Sequence, residues 1–170
     1  MTMFRHSRWT TACWMILAVA AFGGVAQAGD GRDQDRGGSI ANLAQRWAEA
    51  WNAHDAEAVA ALFTPDGLFE DVPFGVVAHG TGEIRAIADF FFTVVPDLHL
   101  SVINSSLKGG RGTIEWVFSG TDLGVYRTGK TFAVRGATVL ELRGNRISRD
   151  SDYYDLATLL RQLGLLPSGL

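Results

Sequence analysis

Cysteine is nearly missing from this chain: Cys13 is the single one in 170 residues. It falls in an N-terminal stretch with the marks of a leader, so the chain beyond that stretch carries no thiol. Disulfides, thiol nucleophiles and cysteine-ligated zinc are thereby excluded from the folded part. Basic clusters are missing too. A net charge of −3, an isoelectric point near 5.7 and no block of Lys or Arg argue against nucleic acid as a partner. Beyond the leader only His54, His79 and His99 remain, scattered and without H-x-H or H-E-x-x-H spacing, so no metal site is expected. No G-x-S-x-G, P-loop or dinucleotide fingerprint occurs, and no cofactor is expected. No apolar run reaches the roughly 20 residues that cross a bilayer.

What is present starts with that leader. Arg5, His6 and Arg8 make a basic head, Trp14 to Phe22 an apolar run, and Ala26-Gln27-Ala28 an A-x-A cleavage site. Residues 1–28 therefore read as a signal peptide, and the protein as exported to periplasm or medium, with no membrane attachment after cleavage. Losing Arg5 and Arg8 would bring the net charge to −5. Residues 29–38, GDGRDQDRGG, read as a disordered lead-in. The remainder, 39–167, has the length and the 47% hydrophobic content of one globular domain.

Periodicity divides that domain into helices first and strands after. Ser39 stands where an N-cap belongs, and Ile40, Leu43, Ala44, Trp47, Ala50 and Trp51 form a stripe of period 3.6. A second short helix carries Val59, Leu62 and Phe63 and stops at Thr64-Pro65-Asp66-Gly67, a turn sequence. Leu68 to Val72 reads as a short strand. Thr81 is placed to cap a third helix that turns Ile84, Ile87, Ala88 and Phe91 inward and ends at Pro96. Beyond it the period becomes two: strands over Leu98–Leu107, Thr113–Thr121 and Thr131–Leu142, then a hairpin at Gly144-Asn145. Such an order predicts an α+β domain with helices packed on one face of an antiparallel meander.

The stretch from Asn145 to Pro167 is the densest in meaning. A strand over Arg146–Tyr154 runs into a helix capped by Asp155, with Leu156, Leu159, Leu160 and Leu163 on one side. Gly164 and Pro167 stop it. Alternation puts Ser148, Asp150, Asp152 and Tyr154 on one face of the strand and Ile147, Arg149, Ser151 and Tyr153 on the other. An acid two residues before a tyrosine is an odd choice for a core, and Asp152 is the leading candidate for chemistry. Asp150, nearer the hairpin, is expected to matter less.

Taken together, WNAHDAEAVAALFTPDGLFED, HGTGEIRAI, PDLHL, EWVFSGT with TGK, and the QLGL ending resemble the SnoaL-like polyketide cyclases. That group lies within the nuclear-transport-factor-2-like superfamily, with the ketosteroid isomerases. The resemblance spans about residues 40–167. It implies a cone-shaped curved sheet closed by helices around a deep apolar pocket, and frequent homodimers. It also implies that Asp152 occupies the place of the cyclases' acid/base, with Asp71 and His79 at the pocket mouth. Relatives often read Trp-Asp where this chain has Ser151-Asp152, and Gly-Thr-His where it has Gly120-Thr121-Asp122. The second difference puts an acid where a neutral proton carrier would stand. Trp47 and Trp51 occupy the helix where ketosteroid isomerases use a tyrosine, and no Arg-x-Asp of the limonene epoxide hydrolase kind occurs.

Ring surface is abundant, and Trp47, Trp51, Phe74, Trp116 and Tyr154 are candidates, with Asp122, for contact with a ligand. Two functions stay open. One is an enzyme moving a proton next to the carbonyl of a small apolar, cyclic compound, by cyclisation or isomerisation. The other is a non-enzymatic pocket for a small apolar ligand or partner, a use that this kind of fold also serves.

Overall fold

A computed structural model describes residues 31–167, with side chains from Asn42 onward. The leader read over 1–28 lies outside the described residues. The first helix, α1 (Gly31–Asn52), begins ahead of Ser39, which is therefore interior to the helix rather than its cap, and covers most of the segment read as a lead-in. After it come α2 (Ala56–Ala61), β1 (Phe63–Asp71), β2 (Val76–His79) and α3 (Gly80–Val94). The chain continues as β3 (His99–Lys108), β4 (Arg111–Thr121), β5 (Thr131–Arg143), β6 (Arg146–Tyr154) and α4 (Leu156–Gln162).

The six strands form one sheet in the order β2-β1-β6-β5-β4-β3. It is curved and unclosed, with the helices on one side, an α+β architecture of the expected kind. The meander β3-β4-β5-β6 is antiparallel throughout, whereas β1 lies parallel to β6. Strand β2, unforeseen in the sequence, pairs with β1 at the edge. Its partner residues Val76 to His79 are short and half exposed, which leaves little periodic signal to read.

Two irregularities decide which side chains face inward. In β1 the turn sequence Thr64-Pro65-Asp66-Gly67 is a bulge within the strand, because pairing with β6 jumps from Phe63↔Ile147 to Leu68↔Arg149. Phe63 and Ile147 are both buried, and that contact holds the strand's start where sequence alone suggests the end of a helix. In β6 the pairing with β5 shifts between Glu141↔Arg149 and Leu142↔Ile147, and Ser148 donates to the Glu141 carbonyl at 3.0 Å. Ile147 is consequently buried with Asp150, although simple alternation sets them on opposite faces. Beyond the shift, Asp150, Asp152 and Tyr154 do share a face.

Helix ends follow local chemistry. Asp55 accepts from the Ala58 amide at 2.9 Å and Asp155 from the Thr158 amide at 3.1 Å. For α3 the cap position is His79 rather than Thr81, and the Glu83 carboxylate reaches back to the His79 amide at 2.8 Å.

The core lies between the concave face and helices α1 and α3: Trp47 and Trp51 above, Phe69, Ile114, Trp116, Val134 and Leu140 below. Trp116 fits because its pair partner on β5 is Gly136. A Cβ there would stand 2.2 Å from the indole. The missing side chain lets the ring lie across β5 and donate to Thr138.

Candidate functional site

Register brings the acids together. On β6, Asp150 and Asp152 pair with Phe69 and Asp71 of β1 on one side and with Leu140 and Thr138 of β5 on the other. A cavity opens above them beneath α1. Trp47, Trp51 and Phe91 cover it, Leu98 just before β3 and Leu100 within it close one end, and Trp116, Phe118 and Phe69 line the sheet side. Asp71, Asp152 and Tyr154 are the polar side chains of its wall, and no basic residue is among the lining groups. Measured as space open to the centre of a water molecule, the volume is about 40 Å³, room for about three waters on that measure. The rings fill the rest: Trp47 and Trp51 meet edge to face at 6.5 Å, and Trp116 lies 6.1 Å from Tyr154.

Each acid has a distinct setting. Asp152 accepts from the Thr138 hydroxyl at 2.5 Å, and that hydroxyl accepts from Trp116 Nε1 at 2.8 Å. Burial, against the pull of the Thr138 bond and with the added repulsion of Asp71, lifts the Asp152 carboxyl to about 7. Asp71 is 3% exposed and receives Tyr154 Oη at 3.0 and 3.1 Å and the Phe74 amide at 3.2 Å. Burial raises it above the ordinary carboxylate range, and those bonds offset part of the rise. Burial and the Asp71 charge together push Tyr154 well above its usual value, so its hydroxyl remains a donor. Asp150 is wholly buried; Trp47 Nε1 donates to its Oδ2 at 3.3 Å, and its Oδ1 has no partner. Burial first, then the neighbouring Asp152, raises its carboxyl far above the usual range. Trp51 Nε1 is likewise buried without an acceptor.

The candidates from the sequence divide accordingly. Asp152, Asp71, Trp47, Trp51, Trp116 and Tyr154 all line the cavity. Phe74 stands outside it, 6.3 Å from Tyr154. His79 is exposed at the end of β2 and does not line the cavity; it serves the start of α3. Asp122 is a structural residue. Its carboxylate accepts from the Tyr126 and Thr128 amides at 3.0 and 2.9 Å and from the Thr128 hydroxyl at 2.9 Å, tying down the loop before β5. Desolvation works against the charge there, yet these bonds together hold its pKa low. His54 stacks on Phe92 at 4.7 Å, and none of the described histidines lines the cavity. Tyr126 is 41% exposed. Asp150, expected to matter less, shares the face of Asp152, and the bulge at Ser148 carries it inward beneath Trp47.

Among the described residues no group of three or more His, Cys, Asp or Glu side chains is disposed to hold a metal ion. No described helix is long and apolar enough to cross a membrane.

The family model of the SnoaL-like polyketide cyclases matches residues 41–163. The chain belongs to that family. No curated protein matches this SnoaL-like chain. Among solved structures it is similar to a protein of ketosteroid isomerase-like fold from Catenulispora acidiphila, in complex with trimethylamine, at 31% identity and a TM-score of 0.69. That match covers 75% of this chain and 95% of the other. A protein assigned as a SnoaL-like polyketide cyclase from a Jannaschia species is 17% identical, with a TM-score of 0.66 over 76% of this chain and 94% of its own. An NTF2-like protein of unknown function from Burkholderia pseudomallei is 18% identical, with a TM-score of 0.64 over 74% and 97%. The last two likenesses are of fold alone.

The placing of Asp122 is open to a direct check. Asp122→Ala removes three bonds to a charged acceptor and should cost about 1.5–3 kcal/mol of stability in urea unfolding. Amide exchange at Tyr126 and Thr128 should quicken, and binding in the cavity should be unchanged. Weakened binding at undiminished stability would return Asp122 to the site.

Proposed function

We propose that this SnoaL-like protein moves a proton next to the carbonyl of a small apolar substrate, with Asp152 as the base. The observation that carries the reading is a carboxyl held near neutrality in a cavity otherwise walled almost entirely by rings. A base whose pKa lies near the working pH is both ionised and able to take a proton. In the proposed step Asp152 removes the α-proton, and the bonding pair becomes the enolate. The enolate oxygen takes a hydrogen bond from Trp51 Nε1, a buried donor in need of an acceptor. The carbanionic carbon then closes a ring onto a second carbonyl, whose oxygen takes the proton back from Asp152, or a conjugated enolate regains that proton from Asp152 at its far carbon. Cyclisation and isomerisation are thus the same first step with different second ones. The small cavity favours compact substrates, and a larger ring system requires Phe91 or Trp51 to swing aside.

Proton–deuterium exchange α to the carbonyl, followed by NMR across a panel of small cyclic ketones and 1,3-diketones, tests this without knowledge of the natural substrate. The rate should rise with pH through about 7, where Asp152 ionises. In Asp152→Asn it should fall by about 10²–10⁴-fold, with fold and ligand affinity retained. Wild-type rates in the variant, or no exchange with any ketone, would remove the enzyme reading.

A second reading is a non-enzymatic pocket for a small organic cation. The lining combines aromatic faces with two carboxyls and no basic side chain, a setting that attracts alkylammonium groups. The Catenulispora protein is in complex with trimethylamine, which when protonated is a cation of that class. Tetramethylammonium should then alter the tryptophan fluorescence and bind more tightly at pH 8 than at pH 5.5, as Asp152 becomes charged. Uncharged tert-butanol should bind more weakly and without that pH dependence. Equal binding of the two compounds would exclude the cation reading.

Export belongs to the same proposal and rests on the leader of residues 1–28. Intact mass of protein recovered from outside the cytoplasm should begin at Gly29; a mass that includes residues 1–28 would contradict it.

A further inference from the structure

Asp150 is a buried acid that the proposed step does not use. Among the described residues no basic side chain pairs with it. Trp47 supplies one N–H from α1, Phe69 and Leu140 flank it as pair partners on β1 and β5, and the nearest charged groups are acids. Those acids are Asp152 on its own strand and Asp71 and Glu70 on β1. Arg149, on the opposite face of β6, is held by Glu70 at 2.7 Å. A bare carboxylate in such a place would face a desolvation cost that no ion pair offsets.

Asp150 and Asp152 stand two residues apart on one face of β6, and the buried Oδ1 of Asp150 has no partner. Two ionised carboxylates offer acceptors only, so a hydrogen bond between them requires that one carry a proton. Which one carries it follows from what each oxygen already has. Asp152 opens on the cavity and receives the Thr138 hydroxyl, which stabilises its charged form. Asp150 Oδ2 receives the Trp47 N–H, and Oδ1 is left without a partner as an acceptor. As the O–H of a neutral acid, Oδ1 would donate to Asp152 and no atom of the pair would be orphaned.

We infer that Asp150 remains a neutral carboxylic acid and donates a hydrogen bond to Asp152, making it the positioning residue of this cavity. Trp47 fixes the acid's orientation from above, and Asp150 fixes Asp152 from behind. Two donors, Thr138 and Asp150, then fall on the same carboxylate and limit how far burial and Asp71 raise it. The role rests on the reading of Asp152 as the base only for its use in catalysis; the inferred hydrogen bond requires no substrate.

Carboxyl ¹³C NMR titration of the substrate-free protein between pH 4 and 9 tests the inference whatever the activity proves to be. The wild-type Asp150 signal should stay that of a protonated acid while Asp152 ionises near 7. In Asp150→Asn, where an amide N–H replaces the acid O–H, the Asp152 midpoint should stay within about half a unit of wild type. In Asp150→Leu, which keeps the bulk but removes the donor, it should rise by about one unit or more, a tenfold change in proton affinity. If Asp150 were instead ionised, both substitutions would remove a negative neighbour and the Asp152 midpoint would fall in each. That fall, or ionisation of Asp150 below Asp152 in the wild type, would overturn the inference. Should the Leu variant not fold, the wild-type Asp150 signal and the Asn variant still decide between the two states. A retained Asp152 midpoint without ketone exchange would leave this inference standing and defeat only the enzyme reading.

Discussion

Three carboxyls sit inside a largely apolar shell with no cation beside them among the described residues, and much of the structure answers that constraint. A charge taken out of water must be paired, hydrogen-bonded or neutralised. This fold uses the last two. Tyr154 and the Phe74 amide supply donors to Asp71, Thr138 to Asp152, and Trp47 to Asp150. The donors come from β6, the segment after β1, β5 and α1, so the acids connect separate parts of the chain. Trp116 supports Thr138 in turn, and its place depends on the bare backbone of Gly136. The chain Gly136–Trp116–Thr138–Asp152 is thus a packing requirement at one end and an electrostatic one at the other.

Much of the architecture was legible in the sequence because it rests on periodicity. The stripe of Leu43, Ala44, Trp47 and Trp51 announces a helix with a buried side, and Ile114, Trp116 and Phe118 announce a strand with one. The switch from 3.6 to 2 after Pro96 separates helices from meander correctly. Bulges carry no periodic mark. Thr64-Pro65-Asp66-Gly67 has turn chemistry, and only its pairing partner on β6 shows that the turn sits inside a strand. The parallel pairing of β1 with β6 is invisible for a similar reason: it joins segments far apart in sequence, and neither strand's composition names its neighbour.

The site was legible in part. Asp152 and Tyr154 follow from parity along one strand, and the tryptophans from the helix stripe. Asp150 ranks below Asp152 in the sequence because it lies nearer the hairpin, and the shift at Ser148 that turns it inward is a property of two paired strands. Asp122 and His79 misled in the opposite sense. Both are polar residues next to turns, where capping a loop or starting a helix is as good a use as chemistry. Family resemblance named the fold and its cavity, while the roles within the cavity depend on which oxygen meets which donor.

Stability as a function of pH tests the central constraint most directly. Groups whose pKa is raised by folding contribute stability that is full below their unfolded value, near 3.8 for aspartate, and lost as pH climbs through the folded value. For Asp152 that window closes near 7. The acids with lowered pKa, such as Asp122 and Glu70, act in the opposite sense but below the acid range where carboxylates ordinarily titrate. Urea unfolding of the wild-type protein between pH 5 and 8 should therefore show a free energy that declines as pH rises, and Asp152→Asn should flatten the decline. A stability that rises across this range, or a slope that the Asn variant leaves untouched, would contradict the account.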